Sequence, residues 1–252
     1  MIYKEVLGSK ILKFGEVIST NTEANKLIKQ NDFSPGTAIR AEFQTSGRGQ
    51  DQNSWESEAK KNLLVSFIIN SDYLPPEKQF YLNKIVSLAV SDLLIDLLPE
   101  KEIEIKWPND IYVGNKKIAG ILINNTIKGN FLEHSVLGIG LNVNQKRFIS
   151  DAPNPISIAQ LKQGSMDLDS CFNTLCDKLN FRCHQLQLLN YETIDKDYLS
   201  RLFRFQKFAN YQINEIKVNA KIIGLDEFGK LCLVSKNGSE YCCDLKEIEF
   251  II

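Results

Sequence analysis

Residues 106–123, KWPNDIYVGNKKIAGILI, restrict the fold more than any other stretch of the chain. Gly114-Asn115 sits between two apolar runs and signals a tight turn, so the segment reads as a buried β-hairpin. Pro108 cannot donate to a central ladder, so the chain must break or bend there. Asn109 and Asp110 then stand at a strand end, where polar groups can face a pocket. Lys117 shares strand parity with Ala119, Ile121 and Ile123. If that face is interior, an unpaired ammonium is costly to bury, and a bound anion would resolve the conflict. The alternative is an edge strand with Lys117 solvated. Gly120 lacks a side chain and lets a ligand approach the strand.

Around this hairpin the element types alternate. Thr20-Asn21-Thr22-Glu23 has the spacing of a capping box and opens a helix to about Gln30. TAIRAEF (37–43) alternates like a strand, residues 44–54 form a polar loop, and LLVSFII (63–69) reads as a buried strand. Pro75-Pro76 opens a long helix through Leu98, with Leu82, Ile85, Ala89, Leu93 and Leu97 on one stripe. FLEHSVLGIGLNV (131–143) is a further strand. Residues 168–190 form an amphipathic helix, and 191–207 continue helical. The tail holds only short strand-like runs, VNAKIIGL, KLCLVS, SEYCCDL and EIEFII, with turns at residues 226–229 and 236–239. The pattern predicts a mixed α/β domain over 1–207 and a small β-barrel over 208–252, with the boundary between residues 205 and 212.

Composition narrows the class. The 252 residues carry 30 basic and 31 acidic side chains, a net charge of −1, which points to neither a nucleic-acid nor a membrane surface. The start, MIYKEVLGSKILKFGEV, shows no signal peptide, and no stretch approaches the ~20 apolar residues of a membrane span. The six cysteines form no C-x-x-C unit and only two histidines are present, so buried free thiols in a reducing, cytoplasmic setting are expected, not a metal site.

Three further stretches can carry chemistry. Ser19-Thr20-Asn21 is either a helix cap or a helix start whose hydroxyls and free N–H groups bind a polar ligand. Gln44-Thr45-Ser46-Gly47-Arg48-Gly49-Gln50 is a surface turn or a backbone cradle for a phosphate, with Arg48 adding charge; it lacks Walker A spacing. Trp55 follows as core or as a stacking platform. Gly138-Ile139-Gly140-Leu141-Asn142 weakens a strand unless something packs on its backbone, and it fails as a dinucleotide fingerprint because Val143 stands where the third glycine belongs.

Taken in order, STN (19–21), QTSGRGQ (44–50) with NSW (53–55), KWPND (106–110), KKIAGIL (116–122) and GIGLNVN (138–144) make the sequence resemble the biotin–protein ligases over essentially its whole length. The resemblance implies an α+β fold, a mixed β-sheet with flanking helices like that of class II aminoacyl-tRNA synthetases, followed by a small SH3-like β-barrel. It implies the stand-alone enzyme, because the motifs begin at Ser19 and leave no room for a DNA-binding domain. The implied activity is ATP- and Mg²⁺-dependent formation of biotinyl-5′-AMP, then transfer to a lysine of a biotin carboxyl carrier domain. No protein ligand to the metal is assigned, and an exposed strand leaves a homodimer open.

By the family pattern Ser19, Thr20, Asn21 and Gln44 would bind the biotin ring region, and Gly47, Arg48 and Gly49 would order over biotin and the phosphates. Lys117 would meet the carboxylate and α-phosphate, and Gly120, Leu122, Gly138 and Gly140 would give close backbone access. Gln50, Trp55, Asn109, Leu141 and Asn142 would lie toward the nucleotide, Lys106 near the phosphates, and Asp110 would orient the incoming lysine. Lys117, Arg48, Lys106 and Asp110 form the expected catalytic set. One departure stands out: family members often carry a basic residue after G-R-G and a glycine two positions beyond, where this chain has Gln50 and Gln52. The competing readings are a lipoate–protein ligase and a non-catalytic ligand-binding regulator.

Overall fold

The computed structural model describes residues 6–50, 53–150, 154–162 and 164–251. In chain order these form β1 (Lys10–Val17), α1 (Thr20–Gln30), β2 (Thr37–Gln44), β3 (Leu63–Asn70), α2 (Phe80–Leu97), β4 (Ile103–Lys106), β5 (Asp110–Val113), β6 (Lys116–Lys128) and β7 (Phe131–Leu141). There follow α3 (Ile158–Leu161), α4 (Leu168–Gln187), α5 (Tyr191–Ser200), β8 (Phe208–Ile213), β9 (Ile216–Leu225), β10 (Leu231–Ser235), β11 (Glu240–Cys243) and β12 (Ile248–Phe250). No helix among the described residues is long and apolar enough to cross a membrane.

The first seven strands make one mixed sheet in the order β1-β2-β3-β7-β6-β5-β4. Only the β1–β2 pair is parallel; the rest are antiparallel. Alternation assigns the faces. Leu63, Val65, Phe67, Ile111, Ala119, Ile121, Leu137, Ile139 and Leu141 point to one side and join Leu82, Ile85 and Leu93 of α2 and Phe172, Leu175 and Leu179 of α4 in the main core. On the opposite face α1 covers only one end, where Ala24 packs with Ile39, Ile68 and Val136. The uncovered remainder is crossed by a register row, Gly140–Gly120–Asp110–Lys106, with Gly138–Leu122 beside it. The hairpin of residues 106–123 is therefore core on one face and cleft floor on the other.

KWPND turns β4 into β5 through a cis Trp107–Pro108 peptide, with Lys106 opposite Asp110. The exposed edge of β4 is then covered by the chain leaving α5: Ile105 N–H donates to Arg201 O (2.8 Å) and Phe203 N–H to Ile105 O (2.9 Å). This edge pairing is why helix stops at Ser200 and does not continue to residue 207 as the sequence suggests. The buried Trp107 indole N–H reaches Gly229 O at 2.9 Å and joins the turn between β4 and β5 to the tail.

The tail forms an antiparallel sheet in the order β11-β10-β9-β8-β12. Its outer strands are not paired with each other among the described residues, so it is an open sheet and not the closed barrel expected. Two strands escape sequence reading. β1 is mostly exposed and interspersed with lysine and glutamate, so it lacks an apolar period and is held by pairing to β2. β8 lies in the linker-like FANYQI, where pairing with β9 and β12 supplies the strand. The cysteine expectation is corrected in part: Cys232 and Cys242, directly opposed on β10 and β11, are disulfide-bonded, while Cys171, Cys176, Cys183 and Cys243 are free and buried.

A charge cluster around the buried Arg182 fastens the helical layer. Arg182 on α4 donates to Asp92 on α2 (2.8 Å) and to Asp197 on α5 (2.6 Å), and Arg201 reaches Asp92 at 2.7 Å. Burial pushes the Asp92 carboxyl up, but the two arginines outweigh it and hold it below the ordinary carboxylate range. Arg182→Leu should cost about 3 kcal/mol in urea unfolding at neutral pH, because it strands the half-buried Asp92 and Asp197 carboxylates. A depressed carboxylate contributes stability above its unfolded pKa and loses it as pH falls through the folded value, so the penalty should shrink below about pH 4. A cost under about 1 kcal/mol at pH 7 would show that Arg201 alone neutralises the cluster.

Candidate active site

A cavity of about 710 Å³ lies on the uncovered sheet face. Its floor is the glycine row of β6 and β7, and its walls come from the start of α1, Gln44, residues 48–50 and 53–56, the KWPND turn, Phe148, Ser150, Pro155 and the C-terminal sheet. That volume suits a drug-sized ligand, and its apolar floor with a few convergent polar groups is typical of a small-molecule site.

One end of the cleft is neutral and polar. Ser19 is the N-cap of α1, yet no side chain caps the helix, so the expected Thr20/Glu23 capping box is absent. Thr20 turns instead toward Gln44: its N–H and hydroxyl donate to Gln44 Oε1 at 2.8 and 3.1 Å. Ser66 Oγ lies 2.7 Å from Thr20 Oγ1 and 2.6 Å from Asn21 Oδ1. Asn21 Nδ2 donates to Leu122 O (3.0 Å) and Asn124 Oδ1 (2.9 Å), which draws its amide across the β6–β7 floor. Gly138 has no Cβ because the Asn21 amide occupies that space.

The other end is charged. The parity expected for Lys117 is overturned by a β-bulge. Ile111 pairs with Ala119 and Tyr112 with Lys117, so Ile118 is an extra residue in β6. Ile118 and Ala119 both enter the core, and Lys117 is displaced onto the cleft face with Gly120. Its ammonium is partnered by Asp110 at 2.6 Å, so the unpaired buried cation anticipated from sequence is an ion pair. The Lys117 backbone no longer pairs at that point with β5 alone; its N–H donates to Asn154 O (2.9 Å) and its carbonyl accepts from Ile156 N–H (2.9 Å).

Lys106 projects from the end of the row over the rings of Tyr112 (5.4 Å) and Phe250 (4.9 Å). Burial lowers its pKa, partly countered by Asp110 and reinforced by Lys117. A cation held this way gains from any anion that enters. Arg48, exposed in the loop and bridged to Ser54, adds a third positive charge at the cleft rim.

Trp55 lies over the floor between the two ends. A Cβ on Gly140 would stand 2.5 Å from its Cε2, and one on Gly120 2.9 Å from its Cζ3. The two glycines thus accommodate this chain's own indole, which packs on the strand backbone where close access for a ligand was expected. Lys117 Nζ is 5.6 Å from the ring centroid. Trp55 Nε1 and Asn142 Oδ1 are buried without a hydrogen-bond partner, and both residues line the cleft. Asn142 is oriented by Nδ2–H donation to Ile156 O (3.1 Å).

The structure brings together Ser19, Thr20, Asn21, Gln44, Arg48, Gly49, Gln50, Trp55, Lys106, Asn109, Asp110, Lys117, Gly120, Leu122, Gly138, Gly140 and Asn142 around one cavity. Leu141 departs from expectation: its side chain is fully buried in the main core, on the face away from the cleft. Gly47 is buried beneath the loop and accepts the Trp55 N–H at 2.9 Å. Gln52 and Asp51 lie outside the described residues. Sequence reading missed Ser66, Asn124, Glu56, Phe148 and Phe250. Ser66, the single hydroxyl within LLVSFII, was the one legible signal; the others arrive from distant segments.

Among the described residues no cluster of His, Cys, Asp or Glu could hold a metal alone. Asp110 and the orphaned Asn142 Oδ1 are oxygen donors suited to a hard cation that brings its own phosphate ligands.

The placement of the indole is testable by fluorescence. With Trp107→Phe as background Trp55 is the only tryptophan left of two, and adding Gly140→Ala should shift its emission to the red and raise acrylamide quenching. An unchanged spectrum would mean the ring does not rest on Gly140.

The family model described as "Biotin/lipoate A/B protein ligase family" matches residues 14–142, just over half of the chain. The bifunctional ligase/repressor BirA of Bacillus subtilis is 27% identical over 256 residues, covering 96% of this chain and 75% of that protein. The biotin–[acetyl-CoA-carboxylase] ligase of Mycobacterium tuberculosis is 29% identical over 204 residues, covering 79% and 73%. In fold, the chain is similar to the biotin protein ligase of Aquifex aeolicus solved with biotin and ATP, at a TM-score of 0.77 and 24% identity over 96% of this chain and 99% of that one. On the extent of the family match, this chain belongs to the biotin/lipoate A/B protein ligase family.

Proposed function

We propose that this chain is an ATP-dependent biotin–protein ligase that makes biotinyl-5′-AMP and transfers biotin to a lysine of the biotin carboxyl carrier domain of a biotin-dependent carboxylase. The observation that carries the reading is the polarity of the cleft, with a neutral hydrogen-bonding end and a cationic end joined by a glycine floor. Biotin's ureido ring has N–H donors and a carbonyl acceptor to match Ser19, Thr20, Asn21 and Gln44. The dithiolane of lipoate has neither, so it cannot replace the hydrogen bonds that Thr20, Asn21 and Gln44 make with their neighbours and would give up to admit a ring. Relatives named as biotin ligases support the same choice within the family.

In the first step the biotin carboxylate attacks the α-phosphorus of ATP and pyrophosphate leaves. Two anions must meet, and Lys117, Lys106 and Arg48 offset their repulsion in a partly dry site. Mg²⁺ enters with ATP as part of the substrate and neutralises phosphate charge. As anions arrive, Lys117 exchanges Asp110 for the carboxylate and α-phosphate. Asp110 is thereby released toward the cleft, placed to orient the acceptor lysine. In the second step the lysine amine attacks the acyl carbon of the mixed anhydride and AMP leaves. No enzyme nucleophile is required, so the chain's work is positioning and charge. Gln50 offers phosphate a hydrogen bond without charge, which leaves Arg48 and the lysines to retain the adenylate. We take residues 1–207 as the catalytic unit and 208–252 as an SH3-like unit that closes the cleft beside Lys106. The outer edge of β1, unpaired among the described residues, is a template for pairing with a second copy.

ATP–pyrophosphate exchange should appear with biotin and Mg²⁺ and stay at background with lipoate. Exchange with lipoate alone would transfer the assignment to the other half of the family, and none with either acid would refute adenylation. Lys117→Gln should slow biotinyl-adenylate formation by roughly 10²-fold or more, the usual worth of a charge-stabilising group. Near-normal adenylation by the folded variant would remove Lys117 from the mechanism.

A further inference from the structure

Glu56 follows Trp55 but has no part in the chemistry above. Its carboxylate is used entirely on a distant segment. Oε1 accepts from Ile149 N–H (3.0 Å) and Gln145 Nε2 (3.1 Å), and Oε2 accepts from Ser150 N–H (2.8 Å) and Ile149 N–H (3.2 Å). Gln145, 1% exposed, returns the contact: its Oε1 accepts from Glu58 N–H (2.9 Å) and Asn62 Nδ2 (2.5 Å). Burial raises the Glu56 pKa, but the bonds from Ser150, Ile149 and Gln145 outweigh it, so the group is held as a carboxylate. Ile149 exposes 91% of its surface, so no apolar packing of its side chain explains why this backbone is fixed.

Both partners border the cleft. Trp55, one residue before Glu56, lies over the glycine floor, while Phe148 and Ser150 form part of the adjoining wall. A carboxylate on consecutive backbone N–H groups is a strong, directional tie. A ligand that settles one wall therefore settles the other. We infer that Glu56 is a positioning residue that joins the wall at residues 145–150 to the loop ending at Trp55, so that the acid and nucleotide substrates strengthen each other's binding. This rests on the biotin and ATP reading above, and it assigns to Glu56 the coupling between the two sites, not contact with either ligand.

The test is a linkage measurement on the full chain. Biotin affinity is measured by calorimetry with and without a non-hydrolysable ATP analogue, for wild type, Glu56→Gln and Glu56→Asp. Wild type should bind biotin at least about fivefold tighter with the analogue present, and the analogue should respond to biotin by the same factor. Glu56→Gln, which keeps the shape but sets an amide against the N–H groups, should bring that factor close to one, while Glu56→Asp should restore part of it. A purely structural role would weaken each ligand separately and leave the factor unchanged, which would overturn the inference. Hydrogen exchange on the ligand-free wild type checks the contact without any variant. The Ile149 and Ser150 amides should be protected, and exchange at the free-peptide rate would overturn it as well. Wild type binding neither biotin nor analogue would sink the ligase reading itself; wild type binding both without mutual strengthening would sink only the role of Glu56.

Discussion

A β-strand has two faces, and from β4 to β7 this sheet gives one to the apolar core and the other to the cleft. The division is carried by a few positions. Ile111, Ala119, Ile121, Ile139 and Leu141 fill the core side, while Asp110, Gly120 and Gly140 alternate with them on the other. One inserted residue, Ile118, reverses the alternation so that Lys117 joins the cleft face beside Asp110. Without that bulge the ammonium would enter the core, at a desolvation cost of several kcal/mol.

The charges around the cleft follow from the same geometry. Lys106 and Lys117 stand at or near one transverse row, close enough that the Lys117 ammonium disfavours the charge on Lys106. Asp110, opposite Lys106 in the ladder and ion-paired to Lys117, moderates that repulsion. Such an arrangement tolerates cations without a ligand yet gains when anions replace the carboxylate. The neutral end needs no such compensation, because Thr20, Asn21, Gln44, Ser66 and Asn124 satisfy one another through hydrogen bonds. A ligand must match those bonds to displace any of them.

The C-terminal sheet belongs to this account as a wall, not as an appendage. Trp107 reaches the turn at Gly229, residues 201–203 seal the edge of β4, and Phe250 lies under Lys106. Gly229 adopts φ +89° with Phe80 of α2 against it, so the turn is pressed into the junction where a larger residue would not fit. The geometry of the lysine end therefore depends on packing between the two sheets.

Much of the fold was legible in the sequence because local rules decide it. The Gly114-Asn115 hairpin, the bend at Pro108, the buried run LLVSFII and the amphipathic helix from Leu168 depend on turn chemistry and periodicity, and most of the site motifs meet in one cavity. What failed was non-local. β1 and β8 exist through pairing with distant strands, the helix expected to reach residue 207 ends where the chain instead pairs with β4, and the Cys232–Cys242 bond follows from register. Thr20 obeys its local capping pattern in sequence, yet Gln44 and Ser66, brought from other elements, outbid the helix end for its hydroxyl. The sequence alone determined which residue types are available and how they alternate along each strand. The tertiary structure alone decided which face each meets, that a bulge pairs Lys117 with Asp110, that Trp55 rests on Gly120 and Gly140, and that Glu56 holds the backbone of Ile149 and Ser150, because register shifts and contacts between remote segments leave no periodic trace.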